Sequence, residues 1–378
     1  MDFGLSDEQA QLKQQTRRFL DGECPLERVR TIIEADGSHD RRLWEQMAAL
    51  GWHALVVPEE LGGLGLAWED LIVVAEEMGR SLCPAPFVSN ATAARLIVAL
   101  GSDEQKRRWL PGIAAGTSIA TLAVLESADV LGESGVTLEA SAARAGGTDG
   151  DDPVRLRGEK MFVADAEAAD LLLVAAREGH GVSVFAVPSG AAGVTVDALR
   201  LIDGTRRAAR VTFDDVTVDG ADRLGEAACA WDALAATIDA ATVARCAEMV
   251  GAADAAVVLA SDHAKVREQF GHPIGRFQGI KHTLAELYVG VESSRSLTYY
   301  AAWAVDNLGD ARRFVSMAKA RTSETLDRAG EECVQIHGAI GYTWECDAQL
   351  FYKRGRYSRN HLGSPDHHYE RVLTSQGI

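Results

Sequence analysis

The segment Arg267-Glu-Gln-Phe-Gly-His-Pro-Ile-Gly-Arg-Phe-Gln278 decides how this chain is read. Upstream of it, from Trp231, runs an alanine-rich stretch without proline, which predicts one long helix over 231–269. Gly271 and Pro273 break that helix, the first by tolerating left-handed backbone and the second by lacking an amide to donate. Helical periodicity resumes over 276–307 and again over 310–337, with Gly309 between the two. Long helices joined by short connections pack as an antiparallel bundle. Arg267 therefore stands at a helix end, where a guanidinium can hold a carboxylate or a pyrophosphate through two bonds. A second segment, Val334-Gln-Ile-His-Gly-Ala-Ile-Gly-Tyr-Thr-Trp-Glu345, sets glycines around the end of the third helix, where backbone amides can approach a ligand closely. The bare residues also allow a plainer reading, in which both segments are helix C-caps with turn glycines.

Toward the amino terminus the pattern changes. Between residues 118 and 227, short β-branched runs alternate with Gly, Asp and Pro: Ile119–Val124, Leu171–Val174, Val182–Val187, Val194–Val196 and Arg210–Phe213. Such spacing predicts a small antiparallel β domain, with 142–153 its most loop-like part. Before it, Ser6-Asp-Glu-Gln9 and Ser102-Asp-Glu-Gln105 are capping boxes, each opening an amphipathic helix. Pro58-Glu-Glu-Leu-Gly-Gly-Leu-Gly-Leu66 is too rich in glycine for a helix and predicts a loop leading into a helix over Trp68–Arg80. The chain thus divides into an N-terminal helical domain (1–118), a middle β domain (119–227) and a C-terminal helical bundle (228–378).

Composition narrows the function. Among 378 residues, 38 Lys and Arg stand against 55 Asp and Glu, a net charge of −17. That balance argues against nucleic acid or an anionic membrane as partner, since binding phosphate needs a cationic surface. No apolar run is long enough to span a bilayer, and the acidic start predicts no secretory signal. Six cysteines without a Cys-x-x-Cys pair read as reduced thiols, which points to the cytoplasm. Gly-x-Gly-x-x-Gly, the Walker motif and the Gly-x-Ser-x-Gly elbow are all missing. The histidines at 361, 367 and 368 lack metal-ligand spacing, so no metal is expected and that end is read as a solvated tail.

The two opening segments, together with Pro58–Leu66, Gly101-Ser-Asp-Glu-Gln-Lys-Arg-Arg-Trp-Leu-Pro111, Gly158-Glu-Lys-Met-Phe-Val-Ala164 and Phe213-Asp-Asp-Val-Thr-Val218, resemble the acyl-CoA dehydrogenase family from end to end. The resemblance implies an α+β fold of helical bundle, β-barrel-like middle domain and C-terminal four-helix bundle. It also implies FAD bound between subunits of a dimer or tetramer. Arg267 would hold the FAD pyrophosphate of the neighbouring protomer, with Phe270 and Gln278 beside it and Gln335 to Gly338 along the dinucleotide. The reaction implied is α,β-dehydrogenation of an acyl-CoA thioester to the trans-2-enoyl-CoA. A carboxylate takes the α-proton, the β-hydride passes to flavin N5, and electrons leave through an electron-transferring flavoprotein. A desolvated carboxylate suits that role because its pKa rises toward working pH.

Departures cluster on the flavin-ring side and at the base. The usual Thr-Glu-Pro-x-Ala-Gly-Ser-Asp is here Leu125-Glu-Ser-Ala-Asp129, so Leu125 replaces a flavin-contacting threonine. In the usual Met-Trp-Ile-Thr, tryptophan becomes Phe162 and threonine becomes Ala164. Phe162 can still cover a flavin face, and the Ala164 amide can still donate. At about 1 kcal/mol for each missing hydroxyl contact, flavin affinity would fall roughly thirtyfold. Leu362, in His361-Leu-Gly-Ser364, occupies the common position of the base, and Ala241 the position used by a minority. Glu248 shares a helix face with Ala241 but lies about 10 Å further along the axis. Its context, Ala247-Glu-Met-Val-Gly251, resembles a bacterial subgroup of the family, and it is the candidate base. Its other role is an i,i+3 pair with Arg245. Asp239 and Glu126 are weaker candidates.

Three readings follow from these departures. The chain is a working dehydrogenase with Glu248 as base, or the less active partner in a heteromeric enzyme of the actinobacterial kind, or a flavin-free scaffold of the same fold. An oxidase with direct reaction of the flavin with oxygen fits the same residues.

Overall fold

The computed structural model describes residues 4–35, 39–143 and 152–377. In chain order, six helices come first: α1 (Asp7–Glu23), α2 (Leu26–Glu34), α3 (Arg41–Ala49), α4 (Trp68–Arg80), α5 (Phe87–Leu100) and α6 (Asp103–Ala114). Strands β1 (Ala120–Ala123), β2 (Glu139–Ala142), β3 (Val154–Ala164), β4 (Leu171–Glu178), β5 (Gly181–Pro188), β6 (Val194–Ala198), β7 (Ala208–Val218) and β8 (Arg223–Leu224) follow. The last part holds α7 (Trp231–Val266), a small hairpin of β9 (Glu268–Gln269) and β10 (His272–Pro273), then α8 (Gln278–Asn307) and α9 (Arg312–His337). Helices α10 (Ala348–Asn360) and α11 (Pro365–Thr374) end it. This is the expected order of helical, β and helical parts. The residues group into two compact units, one of Asp36–Ala67 with Ala85–Ala241, the other of Met1–Ala35 with Trp68–Pro84 and Thr242–Ile378. Among the described residues, no helix is long and apolar enough to cross a membrane.

In the first of these units the sheet order is β6-β7-β3-β2-β4-β5-β8, with β1 beside β4. The sheet is mixed rather than purely antiparallel, because β1 and β4 run parallel, as does the single β2–β4 link at Glu139 and Arg177. Between β1 and β4 the chain makes the whole β2–β3 excursion, long enough to re-enter the sheet in the same direction, as a tight turn cannot. Sequence reading missed β2 and β3. In β3, buried Val154 and Leu156 alternate with exposed Arg155 and Arg157, and the charges mask the apolar period. Residues 144–151, the heart of the loop expected over 142–153, lie outside the described residues.

The other unit is all helix apart from the hairpin. Ser6 caps α1, with the reciprocal bond from Gln9 that the sequence predicts. Helix α4 crosses α7 at two glycines whose backbones meet the other helix closely. A Cβ on Gly79 would lie 2.0 Å from the Glu248 carbonyl oxygen, and one on Gly251 1.8 Å from that of Glu76. The buried carboxylate of Glu76 takes bonds from Lys13 on α1 at 2.8 Å, from Arg295 on α8 at 3.0 Å and from Tyr299 at 2.9 Å. These tie two helices, α1 and α8, to α4 without leaving a buried charge unpaired. The carboxyl-terminal histidines are a correction. His368 lies on α11, fully buried, bonded to Ser316 Oγ at 3.2 Å and to the Leu362 carbonyl at 2.9 Å. Burial pushes its pKa down to about 3, so it is a neutral core residue and not part of a solvated tail.

Candidate functional site

The long helix α7 stops at Val266, and Arg267 begins the turn into the hairpin. Its carbonyl accepts from the Ile274 amide at 2.8 Å, which fixes the backbone on which the guanidinium is mounted. The side chain itself is exposed and makes no hydrogen bond or ion pair among the described residues. It lines a cleft of about 380 Å³ together with His263, Gln269, Ile274 and residues 336–340. Gly338 ends α9 at φ +68° and ψ −144°, backbone that side chains disfavour, and its amide caps the Val334 and Gln335 carbonyls. No atom lies within 4 Å of the position a Cβ would take there, so the glycine serves conformation and close approach rather than packing.

Of the residues expected to hold the dinucleotide, the structure brings Arg267 and Gly338 to one cleft. Phe270, Gln278 and Gln335 are not in its lining. Phe270 sits at the hairpin tip, 90% exposed and at φ +56°, with its ring edge-on to Phe277 at 6.0 Å. Gln278 opens α8 and lies 3.4 Å from His282, while Gln335 is exposed on the last turn of α9. Sequence reasoning missed His263 in this cleft. The signal was its place four residues before Arg267, whose amide bonds the His263 carbonyl at 2.9 Å.

In the β-rich unit, the expected flavin-ring residues lie on β3. The β3–β7 register slips between Lys160 and Val163, and the irregularity carries Phe162 at φ +53°. Its ring is 42% exposed, re-aimed outward as bulges do. Just before it, the Met161 amide bonds the Leu125 carbonyl at 2.8 Å. The Asp165 amide bonds the Arg207 carbonyl at 3.0 Å, so the adjacent Ala164–Ala208 pair is the non-bonded one of the ladder. Ala164 therefore turns its amide and carbonyl away from β7, and Thr121 Oγ1 takes the carbonyl at 2.7 Å. Glu126 is fully engaged. Burial works against its charge, but Lys160 at 2.6 Å, Thr137 and the Leu138 amide outweigh it and hold the carboxyl below the usual range. A carboxylate so held is stabilised as the anion, which weakens it as a base.

Glu248 is buried on α7, at the crossing with α4, and its carboxylate accepts from Arg245 Nη1 at 2.7 Å. Ala241 is buried as well, and Leu362 is held at φ +59° in the turn after α10. Asp239 is buried on α7. Among the described residues, no group of three or more His, Cys, Asp or Glu side chains is arranged to hold a metal.

Three models of one family match successive parts of the chain. The family model described as acyl-CoA dehydrogenase, N-terminal domain, matches residues 6–117, the middle-domain model 131–216, and the C-terminal-domain model 231–375. The acyl-CoA dehydrogenase IpdE2 of Mycobacterium tuberculosis is 30% identical over 338 residues, covering 89% of this chain and 87% of that protein. Its namesake in Mycolicibacterium smegmatis is 28% identical over 369 residues, 97% of this chain and 98% of the relative. Among solved structures, the ChsE4–ChsE5 complex from Mycobacterium tuberculosis matches with a TM-score of 0.90 at 25% identity, over 100% of this chain and 99% of that one.

Proposed function

The chain belongs to the acyl-CoA dehydrogenase family, and from that premise we propose that it takes part in FAD-dependent α,β-dehydrogenation of an acyl thioester, giving the trans-2-enoyl thioester. The carrying observation is the cleft at the end of α7, whose exposed guanidinium has no hydrogen-bond or ion-pair partner among the described residues and whose lining contains no carboxylate. That donor set fits an anionic dinucleotide. Bound FAD would supply an acceptor for the β-hydride. Arg267 would hold the pyrophosphate of a neighbouring protomer's FAD, and Gly338 would let the backbone come near it; Phe162 and the Ala164 amide would cover and donate to the ring of the flavin bound by the β-rich unit. Electrons would leave to an electron-transferring flavoprotein. The test is flavin content. The purified wild-type protein is expected to carry the visible absorbance of bound flavin after incubation with FAD, and Arg267→Met to lose most of it. Equal flavin in both would remove Arg267 from the site.

A second reading concerns the base, and the Arg245–Glu248 pair favours it. A carboxylate paired at 2.7 Å with a buried guanidinium would have to give up that pairing to take a substrate proton, leaving the buried cation uncompensated. With Ala241 and Leu362 unable to accept a proton, the α-proton would be taken by a carboxylate of a second, unlike subunit. The ChsE4–ChsE5 complex, itself of two different chains, supports such an arrangement. Here Arg267 and Gly338 would serve a flavin whose base stands in the partner.

A further inference from the structure

The cleft beside Arg267 contains two imidazoles with no task in the account above. His263 stacks on His337, with ring centroids 4.2 Å apart and planes inclined by 26°. His337 Nδ1 donates to the Cys333 carbonyl at 2.7 Å, which leaves Nε2 as the nitrogen able to take up a proton. The ring of His263 has no hydrogen-bond partner among the described residues. Burial first, then His337 and Arg267, hold the His263 pKa below its usual value.

No acid balances these groups in the lining, where the titratable side chains are His263, His337 and Arg267 alone. The Cys333 thiol, 3.9 Å from His337 Nδ1, is pushed up to about 12 by burial and stays neutral. Asp262, next to His263, is paired with Lys265 at 2.8 Å, and Glu268 lies exposed on β9. In a chain of net charge −17 this is a local concentration of cationic capacity.

We propose that the stacked His263–His337 pair is the proton-linked half of the anion site whose other half is Arg267, so that seating a dinucleotide pyrophosphate draws one proton from solvent onto the pair. The inference rests on the reading of this cleft as the FAD site. An anion within a few ångströms favours the imidazolium, which raises the pKa of the pair in the complex above that in the free protein. One proton enters and not two, because the second imidazolium would lie face to face with the first. Affinity therefore rises as pH falls through the bound-state pKa, and levels off below the free one.

FAD is the right probe, because its pyrophosphate diester does not itself titrate near neutrality. The flavin-free full-length protein, with its partner subunit where the two co-purify, is titrated with FAD by calorimetry in buffers of different ionisation enthalpy. Expected are an uptake of about 0.6 proton near pH 7 and an affinity about tenfold higher at about pH 6 than at about pH 8. A double variant, His263→Phe with His337→Gln, is expected to bind with less than about twofold dependence on pH. Binding by the wild type with no proton uptake, or full pH dependence in a double variant that melts like the wild type, overturns the inference and leaves the cleft as a FAD site. Absence of FAD binding at every pH overturns the FAD reading as well.

Discussion

Glu248 carries most of the chemical tension in this chain. Its spacing from Arg245 made the ion pair legible, since residues three apart on a helix are neighbours. What the sequence could not disclose was the setting: a buried carboxylate at the point where α4 and α7 come closest. Removing one partner of a buried pair leaves the other charge uncompensated. Glu248→Gln is therefore expected to lower unfolding free energy by about 3 kcal/mol in urea titrations, while Arg245→Met combined with Glu248→Leu recovers most of the loss. If Glu248→Gln unfolds like the wild type yet abolishes flavin bleaching by an acyl-CoA, Glu248 is a base and not an anchor.

Elements with a clean period or a cap were legible. Helix α4 covers Trp68–Arg80 as predicted, and α1 and α6 begin at their capping boxes. Strand β3 hid behind its arginines, and α10, Ala-Gln-Leu-Phe-Tyr-Lys-Arg-Gly-Arg-Tyr-Ser-Arg-Asn, hid because its polar face outweighs the few side chains it buries. Helix glycines are the subtler case, for their meaning depends on what lies opposite. Gly251→Ala would drive a Cβ to 1.8 Å from a backbone carbonyl of α4, and so must part the helices. A loss of about 3 kcal/mol or more is expected from chemical denaturation. Gly22→Ala on α1 meets nothing within 4 Å and should gain up to about 1 kcal/mol from helix propensity alone. Equal effects of the two would mean that the α4–α7 contact is looser than described.

For the whole molecule, the sequence disclosed the candidate residues at helix ends better than those that depend on packing. Arg267 and the Gly338 turn are local features of helix ends, so their chemistry survives translation into sequence. Phe162 depends on a register slip in β3, and His263 on a neighbour from α9, both products of tertiary packing. Ala241 and Leu362, at the two positions where the family resemblance implies a base, cannot accept a proton, and the candidate carboxylate of Glu248 is already held by an arginine. The proposal is that this protein forms one side of a shared flavin enzyme. Its most direct test is anaerobic mixing with acyl-CoA thioesters, following the flavin's visible absorbance, for the chain expressed alone and for the chain expressed with a homologous subunit. Bleaching only in the co-expressed complex is the expected result, and rapid bleaching of flavin held by this chain alone would contradict it.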